Sequence, residues 1–221
     1  VNLANRLKTK WGYKDAFDRV LQFDIQRTDE LFYGWNDDDN YGSSEGLDKL
    51  IQDASGLDII IGGPPCQAYS IAGRVRDEHG MKNDYRNYLF ESYIKVVEKY
   101  KPKMFVFENV PGILSAQPGD RPIIDIIQES FLKAGYIVLR DLSNANINFT
   151  DYGVPQNRKR IIIIGLSAEY FGKENCENLL KLFYEKYLLK YKTEKKKTVM
   201  EAIGDLPKLY PLGHDEKYKG R

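Results

Sequence analysis

Three short apolar runs interrupt an otherwise mixed pattern of hydrophobic and polar positions: Leu57 to Ile61, Met104 to Phe107 and Ile161 to Ile164. Runs of this length that do not alternate predict strands buried on both faces, as in parallel sheets. Between them the apolar residues recur every three or four positions. Asn87 to Tyr100 sets Leu89, Tyr93, Val96 and Val97 on one face, and Pro122 to Ala134 does the same with Ile123, Ile126, Ile127 and Phe131, so both are predicted as amphipathic helices. Alternating strands and helices predict an α/β fold.

Weaker signals extend this picture. Val20 to Asp24 and Tyr136 to Leu142 read as further strands, and Gly34 to Ser44, rich in Asp, Asn and Gly, as an exposed loop. Asn175 to Lys190 reads as a helix, with the aromatic stretch Phe183 to Tyr191 as its packing face. Thr198-Val-Met-Glu201 has capping-box spacing and predicts a short helix that stops near Gly204 and Pro207. The Lys192 to Lys197 run reads as a solvated linker.

Composition sets bounds on function. A chain of 221 residues with 42% hydrophobic content predicts one globular domain. Lys plus Arg number 33 against 32 Asp plus Glu, so there is no global basic field and any nucleic-acid contact must be local. Cys66 and Cys176 are too few for a disulfide framework, which suggests a reducing compartment, and the apolar runs are too short to span a bilayer. His79 and His214 stand apart from any cysteine or acidic cluster of metal spacing, so no metal is expected. A start at Val1 and an end at Gly220-Arg221 read as a fragment of a longer protein.

Three segments carry candidate chemistry. Gly62-Gly63-Pro64-Pro65-Cys66-Gln67 follows the first apolar run, and in open α/β sheets ligands sit beyond the carboxyl ends of strands. The stiff Pro-Pro step would deliver the Cys66 thiol there. Phe107-Glu108-Asn109-Val110-Pro111-Gly112 ends the second run and adds a carboxylate on the same edge. Gln156-Asn157-Arg158-Lys159-Arg160 enters the third run, with Gln156, Arg158 and Arg160 alternating onto one face. A guanidinium beside isoleucines needs an anion, either Glu108 or a substrate phosphate. Taken singly, the first two segments have plainer readings, Cys66 as an inert buried thiol and Glu108 as a helix cap or a surface charge.

In this order and at these separations, the Pro-Pro-Cys-Gln, Glu-Asn-Val and Gln-x-Arg-x-Arg segments resemble the DNA cytosine-C5 methyltransferase family, over Val20 to Pro207. The resemblance implies a Rossmann-like S-adenosylmethionine-dependent methyltransferase fold: a mostly parallel sheet with helices on both faces. Residues 1–207 would form a partial catalytic domain and 208–221 the start of a linker to a target-recognition domain. The family's Gly-rich cofactor turn after the first strand, and its acidic ribose ligand after the second, have no counterpart here.

The same resemblance implies roles. Cys66 would add to C6 of a cytosine flipped out of double-stranded DNA, because C5 is otherwise too poor a nucleophile to take a methyl group. Glu108 would sit at N3, and Arg158 and Arg160 would hold the carboxylate and the target nucleotide. Asp24, Ile25, Pro65 and Leu89 would contact S-adenosylmethionine. Gln67, Ser70, Arg74, Arg86, Asn109 and Gln156 would contact the substrate, with Ser70 to Arg86 as the active-site loop. The base that removes the C5 proton is unassigned.

The expected setting is a restriction-modification methylase of the bacterial cytoplasm, monomeric, without metal or membrane. A tRNA-methylating branch of the family shares the motifs, and a non-catalytic DNA-binding homologue is a further alternative. A cysteine hydrolase is disfavoured because Cys66 has no credible histidine partner.

Overall fold

The longest strand, Lys159–Ser167, is the one around which the sheet is assembled, and its Ile-Ile-Ile-Ile core explains why. The computed structural model describes residues 20–65, 89–117 and 120–206. In chain order the strands are β1 (Trp35–Asp38), β2 (Gly42–Ser44), β3 (Ile59–Gly62), β4 (Met104–Asn109), β5 (Tyr136–Ile137), β6 (Asn146–Asn148) and β7 (Lys159–Ser167). The helices are α1 (Thr28–Tyr33), α2 (Gly46–Asp53), α3 (Leu89–Tyr100), α4 (Ile123–Lys133), α5 (Ala168–Phe171), α6 (Lys173–Leu182) and α7 (Val199–Ile203).

The main sheet runs β3-β4-β7-β5, with β6 also on β7. β3 and β4 are parallel, while β4, β5 and β6 each meet β7 antiparallel. The strands of this sheet therefore share one direction except β7, and the mixed α/β architecture matches the predicted class. The reading of Ile161–Ile164 as a parallel strand is corrected: it returns from β6 through a short link. A parallel return needs a longer crossover, usually helical.

Cross-strand register sorts the side chains onto two faces. Phe105 and Phe107 of β4 lie on one face with Ile163 and Ile161 of β7, and Tyr93 of α3 and Phe131 of α4 pack on the two phenylalanines. Phe131 stacks on Phe105 at 4.1 Å, and Tyr93 meets Phe105, Phe107 and Phe131 edge-on. Each such aromatic pair adds about 0.5–1.5 kcal/mol beyond its buried area. Gly62 lets Tyr93 lie on the sheet, since a Cβ there would stand 2.4 Å from the ring. The opposite face of β3 is not buried as predicted: among the described residues, Ile59 is 45% and Ile61 76% exposed.

Predicted helices appear at Leu89–Tyr100, Ile123–Lys133 and Val199–Ile203, the last with both hydrogen bonds of its capping box. The predicted Asn175–Lys190 helix appears as α6 followed by a wide turn at Phe183–Tyr187 and a tight one at Leu188–Tyr191. Two strands and a loop need correction. Val20–Asp24 forms no strand, because it has no ladder partner among the described residues, and Phe23 instead stacks on Trp35 at 3.9 Å. Tyr136–Leu142 keeps only two strand residues, since the Gln128 side chain donates to the Leu139 and Arg140 carbonyls in place of a ladder. Gly34–Ser44 is not a loop but the β1–β2 hairpin, whose turn is tied by Asp38 accepting from the Asn40 and Tyr41 amides.

Candidate active site

Because β3 and β4 run together and β7 runs against them, the carboxyl ends of the first two and the amino end of the third open on one edge. Gly62–Pro65, Glu108–Val110 and Arg158–Arg160 all arrive there. Glu108 and Arg160 lie on the same face by strand alternation, with Ile162 paired opposite Glu108.

The pairing anticipated for Arg160 is present. Its Nε stands 2.6 Å from Glu108 Oε1, and its Nη1 donates to the Lys159 carbonyl at 2.8 Å. Arg158 Nη2 reaches 3.8 Å from the same carboxylate oxygen. The Arg158 amide donates to the Gln156 carbonyl, a tight turn just ahead of β7, and Gln156 itself is exposed. The Glu108 side chain is 35% exposed and that of Arg160 19%, so the pair is shielded on one side and open on the other. Such an arrangement can present an oriented carboxyl to a ligand while the guanidinium fixes its rotamer.

Asn109 leaves β4 on the opposite side and is buried. Its Oδ1 accepts from the Val110 amide at 2.8 Å, and its Nδ2 approaches the Pro64 carbonyl at 3.5 Å. One side chain thus ties the end of β4 to the Pro64-Pro65 step that leads into Cys66. Cys66, Gln67, Ser70, Arg74 and Arg86 lie outside the described residues.

The proposed cofactor residues are more dispersed. Asp24 closes a turn: its Oδ1 accepts from the Gln26 amide at 2.9 Å and its carbonyl from the Arg27 amide at 3.1 Å. Asp24 and Ile25 are half-buried, Pro65 is exposed and Leu89 is buried. The Arg27 guanidinium lies 4.6 Å over the Phe23 ring and 2.6 Å from Asp38, and holds the Asp38 carboxyl below its usual range. No contact among the described residues draws these four into one cluster with Glu108.

Sequence reasoning missed Gly63 as a site residue. A Cβ on Gly63 would stand 2.8 Å from Glu108 Oε2, so the glycine makes room for the carboxylate. The Gly-Gly pair ahead of Pro64 was the available signal. Cys176 reads as inert, and the structure agrees: it is fully buried, its thiol lies 3.5 Å from the Ser167 carbonyl, and burial pushes its pKa up. Among the described residues there is no group of three metal-ligating side chains, and no helix long and apolar enough to cross a membrane.

Residues 11–220 match the family model for C-5 cytosine-specific DNA methylases. A type II methyltransferase of Bacillus paralicheniformis is 43% identical over 189 residues, which cover 78% of this chain and 39% of that protein. One from Desulfomicrobium norvegicum is 37% identical over 177 residues, covering 75% and 38%. A solved methyltransferase structure from Entamoeba histolytica is 21% identical, covers 57% of this chain and 38% of its own, and superposes with a TM-score of 0.39. The chain thus spans under two fifths of the length of these two curated relatives.

Proposed function

The chain belongs to the C-5 cytosine-specific DNA methylase family, and from that footing we propose that its protein transfers a methyl group to C5 of a cytosine in double-stranded DNA. The observation that carries this reading is the Glu108–Arg160 pair at the strand ends, beside the Pro64-Pro65 step that precedes Cys66. The relatives named as type II methyltransferases support a modification role.

On this reading the Cys66 thiolate adds to C6 of the flipped base, which turns C5 into an enamine carbon able to attack an electrophilic methyl group. Loss of the C5 proton to an unassigned base then expels the Cys66 thiolate from C6 and restores the ring. Glu108, held by Arg160, hydrogen-bonds N3 and stabilises the charge that builds as the thiolate adds. Arg158, whose side chain is more exposed than that of Arg160, would meet the target nucleotide. Gln67, Ser70, Arg74, Arg86 and Gln156 complete the substrate contacts, while Asn109, expected among them, is buried and instead ties the end of β4 to the Pro64 carbonyl.

S-adenosylmethionine supplies the methyl group as a sulfonium. Asp24 and Ile25 fit its adenine in chemistry, a half-buried carboxylate acceptor beside an aliphatic side chain, with Pro65 and Leu89 as further contacts.

The test is to express the complete protein and its Cys66→Ala variant in a methylation-free bacterial host and to map C5-methylcytosine by bisulfite sequencing. Methylation at one short motif, lost in the variant, is the expected result. Soluble protein that leaves the DNA unmodified overturns the DNA assignment in favour of an RNA target or a non-catalytic role.

A further inference from the structure

The edge of β7 turned away from β4 is served by β6 over Lys159–Ile161 and by β5 over Leu166–Ser167. Between them, Ile162 to Gly165 have no strand beside them on that edge among the described residues. The Tyr184 hydroxyl fills the gap: it donates to the Ile162 carbonyl at 2.7 Å and accepts from the Ile164 amide at 3.1 Å. Tyr184 is 2% exposed and comes from the wide turn Phe183–Tyr187 that follows α6. A single phenol thus does the hydrogen bonding that a neighbouring strand would do.

The position it secures is specific. Ile162 is the register partner of Glu108 across β4, and it stands two residues from Arg160 on the same face. We infer that Tyr184 is a positioning residue for the Glu108–Arg160 pair, holding the path of β7 where the strand passes Glu108 so that the Arg160 Nε–H keeps its aim. The consequence for catalysis rests on the methyltransferase reading; the coupling itself rests on these hydrogen bonds alone. Removing the hydroxyl takes this partner from the half-buried Ile162 carbonyl and Ile164 amide, and the strand relaxes to recover it.

The experiment compares Tyr184→Phe with Leu180→Ala in the complete protein. Leu180, also 2% exposed, packs into the same core from α6 and serves as a control for general loosening. Two quantities are read: the NMR resonance of the Arg160 Nε–H, and the single-turnover rate of methyl transfer to a cytosine-containing duplex. Tyr184→Phe is expected to shift or broaden that resonance and to slow single-turnover transfer about tenfold at saturating donor. Leu180→Ala is expected to lower thermal stability and leave the resonance in place. An Arg160 signal unmoved by Tyr184→Phe, or moved equally by Leu180→Ala, overturns the inference. A wild-type protein that transfers no methyl group, yet whose Arg160 signal responds to Tyr184→Phe alone, sinks the proposed function and upholds the coupling.

Discussion

Gly63 and Glu108 approach so closely that a methyl group on the glycine would stand 2.8 Å from the Glu108 carboxylate oxygen Oε2. The atom it would meet is the end of a flexible side chain rather than backbone, so the carboxylate yields and the fold does not. Gly63→Ala is therefore expected to leave the thermal midpoint nearly unchanged while slowing methyl transfer at least about tenfold, since small misplacements of reacting groups carry large rate penalties. A variant with wild-type rate would show that Glu108 is not held as tightly as this geometry requires.

Arg160→Lys retains the charge but loses the planar donor that reaches Glu108 at 2.6 Å. With the Glu108 side chain 35% exposed, the loss of stability should stay within about 1 kcal/mol. The turnover number is expected to fall far more than that change implies. Chemical denaturation and steady-state kinetics measured side by side distinguish the two effects.

Phe131 is fully buried and touches Phe105, Phe107 and Tyr93 at once. Phe131→Ala should lower unfolding free energy by about 3–5 kcal/mol. Loss of under about 1 kcal/mol in urea titration would mean that the cluster collapses around the cavity rather than depending on the ring.

Glu201 closes the capping box of α7 and pairs with Lys195, and these bonds pull its carboxyl from 4.5 down to about 2. The folded pKa is the lower one, so the contribution is present above 4.5 and is lost as pH falls toward 2. Amide exchange at Glu201 and Ala202 is expected to accelerate, relative to the intrinsic rate, across that window, while amides of β7 do not follow it. Glu201→Gln should flatten the dependence.

Of the two cysteines, Cys176 is buried with its pKa raised, and Cys66 is proposed as the nucleophile. Native protein treated with iodoacetamide near neutral pH is expected to label at Cys66 and not at Cys176, and denatured protein at both. Peptide mapping that finds Cys176 modified first would reverse the assignment.

What was legible in the sequence follows from how strongly local pattern constrains structure. The isoleucine run of β7 and the periodic faces of α3 and α4 read correctly because burial alone dictates them. Strand direction did not, because Ile161–Ile164 looks the same whichever way it pairs, and only the short link from β6 reverses it. The β1–β2 hairpin was hidden by a polar surface, since its one buried anchor, Trp35, is held by Phe23 from outside the segment. In the site, Glu108 and Arg160 were visible as charges beside apolar runs. Gly63 was signalled only by the Gly-Gly pair and Tyr184 not at all, because what they do depends on contacts made across the sheet.

The reversal of β7 also has a practical use. Its amino end meets Asn109, whereas its carboxyl end passes Met104 and runs into α5 and α6 on the order of 20 Å from Glu108. The junction at Gly172 and Lys173 is exposed, and a side chain at Gly172 would point into open space. A fluorophore attached at Lys173, or a short epitope spliced in there, can therefore report on the protein from a point well away from the Glu108–Arg160 pair.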